Sequence, residues 1–397
     1  MYRKWPANIC PMGSSRKLTC TALLVAAAAT LAPASAGAVP PRLLDASLSQ
    51  AGQRLIFTVR TSEPVAIKRL ERRPSGVASR SLCLELRRQG RGGSRRLCLG
   101  GEPHAHRRAG LELLNSGGEV ADAKTIAVRL KRPDPDELVL SLLPADAGLR
   151  PHRYRWRVVV SSGCRRARRC EEDLPARGER RFRLRPVRAV GCTGGGAGLV
   201  TNGPRERKVV ALTFDDGPSD YTPGFLDVLR REGVPGTFFE IGQEIGGREA
   251  TMRRILREGD EIGNHTSHHT EFPGYADISP TTSLIESATH FRPCLFRPPG
   301  GAVDSSVIAA AAADGMRTVT WDVDPADWTN PGGAAVYSRV VGAARPGSIV
   351  LMHDGGGDRS GTLAALPGII DTLRARGYRF ATVTGLLGER MLYRPYG

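Results

Sequence analysis

Two adjacent carboxylates, Asp215 and Asp216, close an apolar run over 209–214 and are followed at once by Gly217-Pro218. Neighbouring side chains in a strand face opposite ways, so both carboxylates converge only if the strand ends there; Gly-Pro supplies the turn that ends it. Further along, Gly263-Asn264-His265-Thr266-Ser267-His268-His269 puts His265 and His269 four apart, a spacing that brings two imidazoles onto one face of a helical turn. Two neutral imidazoles and the Asp216 carboxylate form a three-ligand set with a fourth position left for water, the open arrangement of a hydrolytic zinc site rather than a closed structural one. His268, lying between them, is not included in that set. Each signal has an ordinary reading by itself, the first as a turn and the second as a solvated loop.

Three later clusters supply the context: Arg297-Pro298-Pro299-Gly300-Gly301 behind Leu295-Phe296, then Asp324-Pro325-Ala326-Asp327-Trp328, then Leu351-Met352-His353. With Asp215-Asp216 and the His265/His269 pair, these resemble the five ordered motifs of NodB-type polysaccharide deacetylases, carbohydrate esterase family 4, over about residues 200 to 390. The resemblance implies a deformed (β/α) barrel in which Asp216, His265 and His269 bind Zn2+, with Co2+ or another divalent metal as the alternative. It further implies Asp215 as general base and His353 as general acid. Arg297 looks like the family arginine that orients the base, which must stay ionised and so benefits from a cation beside it. Asp327 resembles the carboxylate partner of His353, whose imidazolium would protonate the departing amine. Pro298 and Pro299 have no N–H, so the first donor after Arg297 is the Gly300 amide, which similar proteins use to hold the tetrahedral oxyanion. Trp328 and Leu351 would line a slot for the acetyl methyl, although such residues beside strands are also ordinary core. Two departures stand out: the family often carries tyrosine where Gly300 stands, and the segment 272–295 is short for the usual helix. The expectation from the missing side chain at position 300 is a wider groove or a less rigid oxyanion donor.

These residues need a scaffold that brings distant strand ends together. From Lys208 onward strand and helix patterns alternate: strands over 209–214, 237–241, 318–323, 348–352 and 379–383, and helices over 223–231, 248–258, 305–314, 334–344 and 363–376. This is the pattern of a parallel β/α fold, in which functional residues collect at the carboxyl ends of strands, where every cluster above stands. Before it, short alternating runs over 54–59, 82–86, 137–143, 154–160 and 181–184 predict a small all-β sandwich, with an immunoglobulin-like arrangement as one candidate. The expected organisation is a signal peptide over 1–38, a basic β-rich accessory domain over 39–190, a Gly-rich linker over 191–203 and the catalytic domain over 204–397.

The leader is read from Arg16-Lys17, an uncharged apolar run over 18–31 and small residues up to Ala38; a tidier start lies at Met12. The run is short for a membrane span, which needs about 20 residues, so no transmembrane segment is expected after cleavage; an uncleaved anchor is the alternative. Export implies a secreted or cell-envelope protein with disulfides, and the expected pairs are Cys83–Cys98, Cys164–Cys170 and Cys192–Cys294, though spacing alone leaves other connectivities open. Residues 42–190 hold 33 Lys+Arg against 16 Asp+Glu, while 191–397 hold 20 against 24. A basic first half suggests anionic cell-envelope polymers as partners, with runs such as Arg165-Arg166 and Arg168-Arg169 equally readable as a solvated face. Nucleic acid is not an expected partner outside the cell. The substrate expected is an acetylated glycan, either peptidoglycan or a chitin-like polymer, losing N-acetyl groups. The alternatives are an O-acetyl xylan esterase or small-amide hydrolase on the same ligands, and an envelope-binding protein with a vestigial site.

Overall fold

The computed structural model describes residues 42–64, 80–90, 94–99, 108–114, 120–162 and 170–396. The expected leader, Cys164 and the arginine runs beside it lie outside these residues. No helix among the described residues is long and apolar enough to cross a membrane.

Among the described residues the first part is all β. Strands β1 (Leu43–Ala51), β2 (Arg54–Thr61), β7 (Arg129–Lys131) and β8 (Glu137–Leu142) form one antiparallel sheet in the order β1-β2-β8-β7. Strands β3 (Arg80–Arg88), β4 (Ser94–Leu99), β5 (Arg108–Leu114), β6 (Val120–Ala127), β9 (His152–Ser162), β10 (Cys170–Leu174) and β11 (Arg180–Leu184) form the other; its order is β10-β9-β3-β4-β5-β6, with β11 also paired to β9. Alternation builds the core between them: Leu55, Phe57 and Val59 of β2 meet Leu82, Leu84 and Leu86 of β3 and Tyr154, Trp156 and Val158 of β9 in one buried cluster. Cys83 and Cys98, opposite each other on β3 and β4, are bonded.

The second part is α/β. Its strands are β13 (Leu199–Val200), β14 (Val209–Gly217), β15 (Gly236–Glu240), β16 (Glu261–Asn264), β17 (Leu295–Phe296), β18 (Arg317–Val319), β19 (Ile349–His353) and β20 (Arg379–Phe380). They pair in parallel in the order β13-β18-β17-β16-β15-β14-β19, with β20 on β14. The chain leaving β18 then comes round to β19, where Val323 bridges Val350 and the Leu351 amide donates to the Val323 carbonyl at 2.9 Å, so one segment serves both edges of a deformed barrel. Helices α1 (Thr222–Glu232), α2 (Glu249–Glu258), α3 (Tyr275–Thr289), α4 (Ser305–Ala313), α5 (Gly333–Ala343), α6 (Ser360–Ala375) and α7 (Val383–Leu386) cover it. The strands are buried on both faces, which is why 209–214 reads as a continuous apolar run. Helix α3 takes up 15 residues of the segment 272–295.

The two parts share a seam. Strand β12 (Val187–Cys192) pairs antiparallel with β21 (Met391–Pro395), and Cys192 is bonded to Cys294 just before β17. Within 191–203, a Cβ on Gly195 would come within 2.1 Å of the Gly315 carbonyl oxygen, so glycine permits a close backbone approach there. Arg129 donates to the Gly233 carbonyl at 2.9 Å, and Arg230 of α1 pairs with Asp146.

Candidate active site

Strand register explains how the clusters meet. On parallel neighbours, Asp215 of β14 lies opposite His353 of β19, Glu240 of β15 opposite Asn264 of β16, and Asn264 opposite Phe296 of β17. Asp215, His265, Arg297 and His353 therefore stand at adjacent strand ends on one rim.

Asp216, His265 and His269 offer one ligand atom each within 4.8 Å of one another. Asp216 Oδ1 lies 3.4 Å from His265 Nε2 and 3.3 Å from His269 Nε2. Those separations match the edge of a tetrahedron whose apices lie about 2 Å from its centre, the distance of imidazole nitrogen and carboxylate oxygen from zinc. Asp216 Oδ1 is buried and has no hydrogen-bond partner in the chain, so this donor set fits a divalent cation. Burial would raise the Asp216 pKa, but the two imidazoles outweigh it and hold the carboxyl well below its usual range. His265 Nδ1 lies 2.7 Å from the Arg297 carbonyl oxygen; as donor to it, the ring turns the Nε2 lone pair toward Asp216.

The histidines do not share a helical turn. Residues 265–270 are a loop, with Thr266 at φ 68° and His269 at φ 59°, and Asp216 itself has φ 72°. Left-handed backbone at three non-glycine positions around one donor set is the kind of strain that collects at functional sites. His268 points away, 3.2 Å from Asp277, with most of its side chain exposed.

Asp215 is held from the other side. The fully buried Arg297 donates through Nη1 to Asp215 Oδ1 at 2.7 Å and to Thr213 Oγ1 at 2.8 Å, and its guanidinium carbon lies 4.1 Å from the Phe239 ring centroid. Desolvation lowers the Arg297 pKa, and the Asp215 charge opposes that shift. His353 is fixed twice by the buried Asp327: Nδ1 to Oδ1 at 2.7 Å and its own amide to Oδ2 at 2.9 Å. Thr362 Oγ1 donates to the same Oδ2 at 2.8 Å. Burial disfavours the His353 imidazolium, but the Asp327 hydrogen bond and the carboxylates of Asp215, Asp327 and Asp216 offset it, and the pKa is raised.

Gly300 follows the two prolines at φ 62°, and a Cβ there would lie 3.2 Å from Glu271 Oε1. Trp328 is 58% exposed, whereas Leu351 is buried within β19.

Two carboxyls that sequence reasoning missed lie behind the rim. Glu240 and Asp354 are fully buried; Glu240 has both oxygens unpartnered, while Asp354 accepts from Thr222 Oγ1 at 2.5 Å. A Cβ on Gly217 would be 2.7 Å from both groups. Burial first, then mutual repulsion and the Asp215 charge, raises Glu240; burial likewise pushes Asp354 up to about 7. The available signal was a lone charged residue within the apolar run 237–241 and an aspartate directly after His353.

A family profile described as polysaccharide deacetylase matches residues 202–319. A Bacillus cereus peptidoglycan-N-acetylglucosamine deacetylase is 43% identical over 192 residues, covering 46% of this chain and 90% of the relative. The chain belongs to the polysaccharide deacetylase family. The chitooligosaccharide deacetylase of a Bradyrhizobium species is 38% identical over 188 residues, 43% of this chain and 86% of its own length. Among solved structures, a peptidoglycan N-acetylglucosamine deacetylase in complex with a naphthalenyl N-hydroxybenzamide aligns with a TM-score of 0.47 and 32% identity, over 48% of this chain and 94% of its own.

Proposed function

We propose that this polysaccharide deacetylase is an exported, metal-dependent hydrolase that removes N-acetyl groups from an aminosugar polymer, peptidoglycan or chitin-like. The observation that carries the reading is the buried, unpartnered Asp216 Oδ1 between two imidazole nitrogens, flanked by an Asp215–Arg297 pair and a His353–Asp327 pair. The relatives that support the substrate class are deacetylases of peptidoglycan and of chitooligosaccharides.

Asp216, His265 and His269 would hold the metal, with zinc as the first choice for two nitrogens and one oxygen. Bound there, it would acidify a water and polarise the acetyl carbonyl. Asp215, locked by Arg297, accepts the proton of the attacking water. The Gly300 amide donates to the oxygen that gains charge as the carbonyl becomes tetrahedral. His353, protonated and aimed by Asp327, delivers a proton to the amine nitrogen as the C–N bond breaks. Trp328 and Leu351 would bound the acetyl methyl. The products are acetate and a free amine on the sugar.

The test is acetate release from purified peptidoglycan and chitooligosaccharides by the purified chain. Activity should vanish on chelation and return with zinc or cobalt, with mass spectrometry locating the lost acetyl on nitrogen. No release from either glycan after metal is restored, or loss from oxygen only, rejects the proposal.

A further inference from the structure

The seven-stranded sheet carries on its solvent side a charge pattern that catalysis does not use. In β9 the side chains of Tyr154, Trp156, Val158 and Val160 are buried in the sandwich, so Arg153 and Arg155 face outward. In β11 Leu184 is buried and Arg181 and Arg183 are exposed. Register sets Arg183 opposite Arg153, and Arg181 opposite Arg155; on its other side Arg155 faces Arg87 of β3. With strands about 4.8 Å apart and same-face residues about 6.6 Å apart along a strand, five guanidiniums form a grid.

One carboxylate, Glu179, answers them: Arg87 donates to it at 3.2 and 2.7 Å, and Arg155 lies 4.0 Å from it. Arg153, Arg181 and Arg183 have no ion pair among the described residues. The adjacent row is different, since Arg96 and Arg157 are matched by Glu85 and Asp173. Like charges directly opposite on a sheet repel, so the fold gains nothing from the grid, and an anion spanning its rows relieves the repulsion.

We propose that this face binds a linear polyol phosphodiester polymer. Guanidinium forks match phosphate oxygens in pairs, and a flat grid suits repeated charges on an extended chain. The aromatic side chains of these strands, Tyr154, Trp156 and Phe182, pack on the core side, so nucleic-acid bases find no stacking platform. None of the exposed large hydrophobic residues lies on β3, β9 or β11, so the face has nothing to insert into lipid.

The probe is synthetic poly(glycerol phosphate), titrated against the full chain at several salt concentrations. The variant R153Q/R181Q/R183Q should bind at least about tenfold more weakly and flatten the log affinity against log salt slope by about 2, the counterions of three lost contacts on a single strand. Its thermal midpoint should be no lower than that of wild type, since the repulsion between facing arginines is relieved. R207Q/R257Q/R390Q removes the same charge elsewhere and should leave affinity within about twofold. Equal losses in the two variants, no saturable binding by wild type, or preference for single-stranded DNA, polyglutamate or phosphatidylglycerol vesicles overturns the assignment.

Discussion

Asp215 and Asp216 are neighbours in sequence yet meet different partners, because the strand ends between them. Asp215 keeps strand register opposite His353 and is gripped by Arg297, while Asp216, in a left-handed conformation, turns to the two imidazoles. Asp215→Asn should therefore retain metal, measured by titration against a chromogenic chelator, while turnover falls about 10²- to 10⁴-fold. For Asp327→Asn the sign follows from the raised His353 pKa: the native acid stays protonated to higher pH, so losing its carboxylate partner moves the alkaline limb of the kcat profile to lower pH. An unmoved limb would mean that another group supplies the proton. The candidate site was partly legible at this scale because Asp215, Arg297 and His353 each close or follow an apolar run, and the histidine pair and Asp327 stand in recognisable clusters. Glu240 and Asp354 were not legible, since what marks them is full burial with three of their four side-chain oxygens unpartnered, a property of packing rather than of residue type.

At the scale of elements, the loop after β19 packs against Asp216 of the candidate metal site. A Cβ on Gly355 would stand 1.9 Å from the Asp216 carbonyl oxygen, and one on Gly356 would stand 2.6 Å from Asp216 Oδ2. Arg359 fastens the same loop by donating to the Gly355 and Gly356 carbonyls at 2.6 and 3.0 Å. Gly355→Ala should accordingly weaken metal binding at least about tenfold by displacing Asp216, in a chain whose circular dichroism spectrum is unchanged; unaltered affinity would show that the loop can retreat. In the second part β14, β15, β18, β19 and β20 overlap strands expected from the apolar runs, whereas the short β13, β16 and β17 were not anticipated; α1, α2 and α4–α6 fall within a few residues of expectation. The His265–His269 turn was misread because four-residue spacing serves a reversing loop as well as a helix once Thr266 and His269 become left-handed. Helix α3 was hidden because Pro280 interrupts it and threonines supply part of its buried face.

For the whole molecule, the decisive cross-link is Cys192–Cys294, which closes 102 residues and ties β12 to the chain just before β17, the strand that Arg297 follows. Replacing both cysteines by alanine should lower the unfolding free energy in urea by about 2–5 kcal/mol, and no change would mean that the seam is held by pairing alone. The sandwich was legible as alternating runs, but its attachment to the barrel was not, because Arg129, Asp146, Gly233 and Arg230 are distant in sequence and ordinary in type. The pairing of β12 with β21 has a consequence for the order of assembly. Every strand of the sandwich has been synthesised by Leu184, whereas β12 acquires its partner only when Met391–Pro395 emerges. During translation the first half can be finished while the hinge to the second still shows an open edge, so a nascent chain cut before Met391 would carry two nearly complete bodies with the latch between them undone.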